Sequence, residues 1–207
     1  MADTLPPYTA VVLAGGQGSR MQGQDKGLVH FGEHRLIDHA LARLARQTHA
    51  PQSILISANR NADIYAQLGH AVLADTVPDY PGPLAGFLTG MARCSTPWLL
   101  SIPCDSPLFP LDLAQRLLTQ AMHDNADIVI AADRDREGQR RKQPVFCLMR
   151  PQLAPDLMAF VQAGERKIGA WIHRHRLSVV CFDQASDSSS AFFNVNSAAE
   201  LSQPLSA

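Results

Sequence analysis

The chain has 207 residues, 46% hydrophobic and 18% charged, with a formal net charge of -1. That length suits one domain, 1–207, with enough interior for a substantial core. The charge balance excludes a global attraction to nucleic acid, membrane or an acidic polymer, so any electrostatic work must be local. Cys94, Cys104, Cys147 and Cys181 are widely spaced and form no C-x-x-C pair, which favours reduced thiols over a disulfide or zinc framework. No stretch reaches the roughly 18 apolar residues of a membrane span, and the first residues lack a basic region followed by an apolar one. A soluble cytoplasmic protein is expected.

In chain order, Tyr8 to Ala14 is a short, partly β-branched apolar run that stops at Gly15-Gly16, which predicts a buried strand feeding a tight loop. Apolar residues at helical spacing predict a helix over Leu36 to Gln47, and strands follow at Ser53 to Ala58 and Ala71 to Ala74. Leu84 to Arg93 reads as a helix entered from Pro81-Gly82-Pro83, and Trp98 to Ile102 as a strand ending at Pro103-Cys104-Asp105. Leu111 to Asn125 reads as a helix. Ile128 to Ala132 and Val145 to Met149 read as strands flanking a polar loop. Helices over Leu153 to Gln162 and Lys167 to His175 precede a last strand, Leu177 to Phe182, with Ser186 to Ser190 as surface loop. This alternation implies an α/β fold, a three-layer α/β/α sandwich around a mostly parallel sheet.

The densest chemical signal is LAGGQGSRMQGQDKGL, Leu13 to Leu28, directly after the first strand. Ligands of open α/β sheets bind beyond the carboxyl ends of strands. Gly15, Gly16 and Gly18 allow backbone N–H groups to approach an anion, and Arg20 and Lys26 bring positive charge. The run is neither G-x-x-x-x-G-K-[ST] nor G-x-G-x-x-G, which weakens the P-loop and dinucleotide readings. Asp105, at a strand end between Pro103 and Pro107, suits a magnesium anchor as well as a turn cap. Asn59 and Asp75 end two further strands and offer hydrogen-bonding groups at the same edge, although each alone could be an Asx turn. Asn194 and Asn196 alternate with Val195, so an extended segment would face both amides one way and Val195 to the core. His173 and His175 read as solvated surface rather than metal ligands.

With Ser57-Ala58-Asn59-Arg60, Asp79-Tyr80-Pro81-Gly82-Pro83-Leu84-Ala85-Gly86, Pro103-Cys104-Asp105-Ser106-Pro107, Gly164-Glu165-Arg166-Lys167 and Phe193-Asn194-Val195-Asn196, this glycine loop resembles that of the molybdenum cofactor guanylyltransferases. Gln22 departs from the family loop, which commonly continues Met-Gly. The resemblance implies a Rossmann-like sheet of the nucleotide-diphospho-sugar transferase type and an enzyme that moves GMP from GTP to the terminal phosphate of molybdopterin. It implies Mg2+ as cofactor. Implied partners are GTP, molybdopterin, and molybdopterin-carrying and molybdoenzyme-maturation proteins. By the same resemblance, Leu13, Ala14, Gly15, Gly16, Lys26, Asn59, Asp75 and Asp105 contact the nucleotide. Asp105 also holds the metal, and Arg20, Lys26 and Asp105 carry the catalysis.

Arg140, Arg141 and Lys142 are expected in a loop, either as solvated charge or as the docking site of the second substrate's phosphate; Asn194 and Asn196 are further candidates for that substrate. Three rivals stay open. They are a cytidylyltransferase acting on the same pterin, a sugar-phosphate nucleotidyltransferase, and a non-catalytic nucleotide-binding module. The PGPLAG and NVN segments favour the guanylyl reading, and intact Arg20, Lys26 and Asp105 disfavour a bare binding module.

Overall fold

A computed structural model describes residues 4–14, 25–75, 82–135 and 137–195. The elements run in the order β1 (Tyr8–Leu13), a 3-10 turn (Lys26–Leu28), a ribbon of β2 (His30–Phe31) and β3 (His34–Arg35), α1 (Leu36–Ala45), β4 (Ser53–Ser57), α2 (Ala62–Ala66) and β5 (Ala71–Leu73). There follow α3 (Pro83–Arg93), β6 (Trp98–Pro103), α4 (Leu113–His123), β7 (Ile128–Arg134), β8 (Arg140–Met149), a second 3-10 turn (Pro151–Leu153), α5 (Ala154–Gln162), α6 (Ile168–Ile172) and β9 (Leu177–Cys181).

Among the described residues the main sheet has the strand order β5-β4-β1-β6-β8-β7-β9. β1 sits inside it, parallel to both β4 and β6, and β4 is parallel to β5. β8 runs antiparallel to both β6 and β7, and β9 is parallel to β7. The sheet is thus mostly parallel, as the alternation of elements predicts. A strand paired on both sides and covered on both faces needs apolar residues in succession, and this is why β1, YTAVVL, is apolar but for Thr9, whose buried hydroxyl is bonded to those of Ser53 and Thr96.

The side chains of β1 divide by the strand's period of two. Ala10 and Val12 join one core with Ile37 and Leu44 of α1 and Leu113 and Leu117 of α4. Val11 joins the other, with Phe87 and Leu88 of α3, Leu157 of α5 and Trp171 of α6. Three layers result, and each large apolar side chain fully buried in them contributes roughly 1.5–3 kcal/mol. α3 packs closely on the sheet. A Cβ on Gly86 would stand 2.5 Å from Leu13 Cδ2, and one on Gly90 would stand 3.0 Å from Leu99 Cδ2, so both glycines set how near the helix comes. No helix among the described residues is long and apolar enough to cross a membrane.

Two expectations need correction. Arg140, Arg141 and Lys142 are not in a loop: they open β8, opposite Arg134, Asp133 and Ala132 of β7. The apolar pattern ends where β8 becomes exposed, but a β-ladder needs only backbone N–H and C=O groups and continues past that point. The turn is closed by the Asp135 carboxylate, which accepts from Glu137 N at 3.0 Å and Gln139 N at 2.8 Å. His175 is not solvated surface either. It is half-buried, its ring is edge-on to Trp171 at 5.2 Å, and its Nε2 lies 3.1 Å from Asp156 Oδ2. α6 is shorter than the periodicity suggests, because beyond Ile172 the hydrogen bonds tighten, with Arg174 N donating to Trp171 O and His175 N to Ile172 O.

Candidate active site

The carboxyl ends of four strands are tied into one edge. Ala14 N donates to Ser57 O at 2.9 Å, Ala58 N to Leu73 O at 2.9 Å and Cys104 N to Leu13 O at 3.2 Å. Leu13, Ala14, Asn59, Asp75 and Asp105 therefore line the edge where open α/β sheets bind ligands. Gly15, Gly16, Arg20 and Asn196 lie outside the described residues.

Asp105 follows β6, and Lys26 opens the 3-10 turn, yet the two residues, 79 apart in sequence, meet: Lys26 Nζ donates to Asp105 Oδ2 at 2.6 Å. Their side chains keep 24% and 20% of their exposure. The pair is therefore short and charge-assisted but still open to solvent and to a ligand. Asp105 is held from behind, because its carbonyl accepts from Val195 N at 2.8 Å. The neighbouring Ser106, fully buried, donates its hydroxyl to Asn194 Oδ1. Val195 is buried with Phe31 and Leu36, as the alternation predicts, and its segment brings Asn194 beside the Asp105 loop.

Lys26 is placed by residues to which the sequence reading assigns no role. The Asp25 carboxylate caps the 3-10 turn, with Oδ1 accepting from Gly27 N at 3.3 Å and from the Tyr65 hydroxyl at 2.6 Å. Its Oδ2 accepts from Asn61 Nδ2 at 2.9 Å, and Asn61 itself has the left-handed φ of 53°. Tyr65 is fully buried. Burial first, and then the bond to Asp25, push its hydroxyl far above the ordinary tyrosine range. In the sequence Tyr65 reads as an ordinary core aromatic; the only hint of the arrangement is that Asp25 adjoins Lys26.

Asn59 and Asp75 form a reciprocal pair. Asn59 Nδ2 donates to Asp75 Oδ2 at 2.6 Å, and Asp75 N donates to Asn59 Oδ1 at 2.7 Å. Ser57 Oγ, missed by sequence reasoning, donates to Asp75 Oδ1 at 3.3 Å. The amide of Asn59 is engaged at both ends and so orients Asp75. Each carboxylate oxygen keeps acceptor capacity for a further N–H.

The basic residues of β8 are differently engaged. Arg141 clasps Asp133 with Nε to Oδ1 at 3.1 Å and a terminal nitrogen to Oδ2 at 2.5 Å, and this bond raises the guanidinium above its usual range. Arg140 donates to Val179 O at 3.2 Å, and Lys142 Nζ lies 3.2 Å from His173 Nε2. β8 pairs with β6 only from Met149 to Cys147, so its basic end runs on past the carboxyl end of β6. Among the described residues no group of three or more His, Cys, Asp or Glu side chains could form an all-protein metal cage.

Residues 10–179 match the family described as the MobA-like NTP transferase domain. A molybdenum cofactor guanylyltransferase of Acidovorax sp. (strain JS42) is 50% identical over 198 residues, covering 93% of this chain and 92% of that protein. One from Bordetella petrii is 48% identical over 195 residues, covering 94% and 95%. Among solved structures, molybdopterin-guanine dinucleotide biosynthesis protein A from Archaeoglobus fulgidus aligns with a TM-score of 0.74 at 18% identity, over 93% of this chain and 94% of that one. The 4-diphosphocytidyl-2C-methyl-D-erythritolsynthase from Anaerococcus prevotii aligns at 0.71 and 10% identity, over 95% and 93%. At such low identities these structures bear on the fold alone.

Proposed function

The chain belongs to the MobA-like NTP transferase family, and from that premise we propose that it is a molybdenum cofactor guanylyltransferase, which joins GMP from GTP to the terminal phosphate of molybdopterin and releases pyrophosphate. The observation that carries this reading is the Lys26–Asp105 pair at 2.6 Å, at the strand edge that also holds Asn59 and Asp75.

A terminal phosphate oxygen of the pterin attacks the α-phosphorus of GTP. A new P–O bond forms as the bond to the β-phosphate bridge breaks, and the electron pair leaves with pyrophosphate. The attacking phosphate is already ionised near neutral pH, so the reaction needs no protein nucleophile. The protein's work is positioning and charge stabilisation. Lys26 supplies a cation that neutralises phosphate oxygens before and during displacement. Asp75, oriented by Asn59 and Ser57, offers carboxylate acceptors to the N1–H and N2–H2 edge of guanine, which cytosine lacks. Asn194, joined to the Asp105 loop through Ser106, lies on the side we assign to the pterin. The basic end of β8 is assigned to the same substrate.

Asp105 fits Mg2+. This hard ion takes one or two carboxylates and completes its shell with water and substrate phosphates, and Asp105 is a single strand-end carboxylate with 20% of its side chain exposed. When bound, the ion would offset charge on the phosphates.

The test is to incubate the purified protein with molybdopterin, Mg2+ and each nucleoside triphosphate in turn, and to identify any dinucleotide by mass. A guanine dinucleotide with pyrophosphate is expected. A cytosine dinucleotide in its place would establish the cytidylyl rival, and nucleotide binding without transfer would leave a binding module.

A further inference from the structure

We propose that Tyr65 is a positioning residue for Lys26, acting through the Asp25 carboxylate, and that its buried hydroxyl sets how tightly the site holds a nucleoside triphosphate. This deepens the nucleotidyl-transfer reading and rests on it for what Lys26 does. Tyr65, on α2, is 0% exposed, and its hydroxyl donates to Asp25 Oδ1 at 2.6 Å across 40 residues of sequence. The same oxygen accepts from Gly27 N. Lys26 is thus flanked by a residue the tyrosine holds directly and a residue held by the same carboxylate. With its backbone fixed on both sides, the flexible lysine stem has far fewer ways to miss its target.

Two observations point from Tyr65 to this turn. A phenylalanine would fill the same core space with no polar atom to satisfy, and a buried hydroxyl is unfavourable unless it is bonded. Here the bond goes to the one carboxylate that caps the Lys26 turn. Independently, a Cβ on Gly27 would stand 2.4 Å from the Tyr65 hydroxyl oxygen. The hydroxyl therefore lies against the turn itself, in the space a side chain at position 27 would need.

The experiment compares the full-length wild type with Tyr65→Phe, Asp25→Asn, Asp25→Ala, Gly27→Ala and the double variant Tyr65→Phe/Asp25→Ala. Circular dichroism checks the fold. Titration calorimetry with GTP and Mg2+ reads affinity, and the Lys26 ε-methylene resonance in 13C-lysine-labelled protein, assigned by its loss in Lys26→Arg, reads placement without substrate. Tyr65→Phe should weaken GTP by up to about tenfold, because the worth of a hydrogen bond to a charged group bounds what releasing the turn can cost, and should move the Lys26 resonance. Gly27→Ala, which keeps the tyrosine but displaces its hydroxyl, should do the same. Asp25→Asn retains the cap and an acceptor for Tyr65 and should stay within about threefold of wild type. In the Asp25→Ala background, Tyr65→Phe should add nothing further.

Unchanged affinity with an unmoved Lys26 resonance in folded Tyr65→Phe overturns the proposal. So do fully additive losses in the double variant, or an Asp25→Asn loss as large as that of Asp25→Ala. A wild type that binds GTP but forms no dinucleotide overturns the functional reading alone, because affinity and resonance decide the positioning role without turnover.

Discussion

Replacing Lys26 by methionine removes the cation while keeping an unbranched apolar stem of similar length. Its Nζ lies 2.6 Å from Asp105 Oδ2, and the two side chains are 24% and 20% exposed, so water screens the charge only in part. A unit charge acting on a phosphate oxygen about 4 Å away contributes about 4 kcal/mol at an effective dielectric of about 20 and about 1 kcal/mol in bulk water. The exposure sets the expectation between these limits, a loss of about five- to a thousandfold in kcat/KM for GTP. The fold itself should lose no more than about 1 kcal/mol, as for other solvent-accessible ion pairs. The assay is pyrophosphate release at saturating pterin with GTP varied. If the cation meets the triphosphate in the ground state, KM should rise, and if it meets more charge on the departing pyrophosphate in the transition state, kcat should fall as well. Lys26→Arg should recover part of the loss, and Lys26→Met combined with Asp105→Asn should lose less than the sum of the two singles, because the residues share one contact. Wild-type GTP kinetics in folded Lys26→Met would refute the reasoning and leave Lys26 as a structural partner of Asp105.

Asp75→Ala should lower the preference for GTP over CTP by at least about tenfold, the worth of one hydrogen bond to a charged acceptor; a kcat/KM ratio unchanged from wild type would remove Asp75 from base reading. For the basic end of β8, Arg140→Gln combined with Lys142→Gln should raise the pterin concentration giving half-maximal rate. It should leave the GTP requirement nearly unchanged and flatten the loss of activity with added salt. Arg141 is spared in that variant because it neutralises Asp133, whose side chain is only 8% exposed, and an unaltered pterin requirement would make these charges ordinary surface. Acid should loosen the end of the sheet at β9. Asp127 is held below the usual carboxylate range by its bond to Arg176, Asp183 by its bond to Arg134, and Asp124 is drawn down to about 2 by Ser178, Gln120 and His123. Carboxylates lowered by folding stabilise the fold above their unfolded pKa of about 3.9, and that stabilisation is lost as pH falls through the folded values. Tm should therefore hold from about pH 7 to 5 and drop between about pH 4 and 2, and a Tm flat across the acid range would contradict it.

The sheet and its ligand edge were legible because local rules produce them. The run Tyr8 to Leu13 is apolar but for Thr9, as a strand buried on both faces requires, and residues that end parallel strands share an edge whatever lies between them. Asp75, Asn59 and Asp105 could therefore be assigned to one place from sequence position alone. The limits of β8 were not legible: its first residues are charged, and a ladder bonded through the backbone leaves no mark in an apolar pattern. His175 likewise reads as polar and solvated until α6 packs Trp171 beside it. The sequence by itself determined the layered α/β architecture and which residues end the strands at one edge, because hydrophobic period and chain-breaking residues act through near neighbours in the chain. Only the tertiary structure decided which groups touch: Lys26 with Asp105, Asp75 with Asn59 and Ser57, and Tyr65 with Asp25. Those contacts join residues 16 to 79 positions apart, and a hydrogen bond depends on tenths of an ångström that are set only when the layers pack.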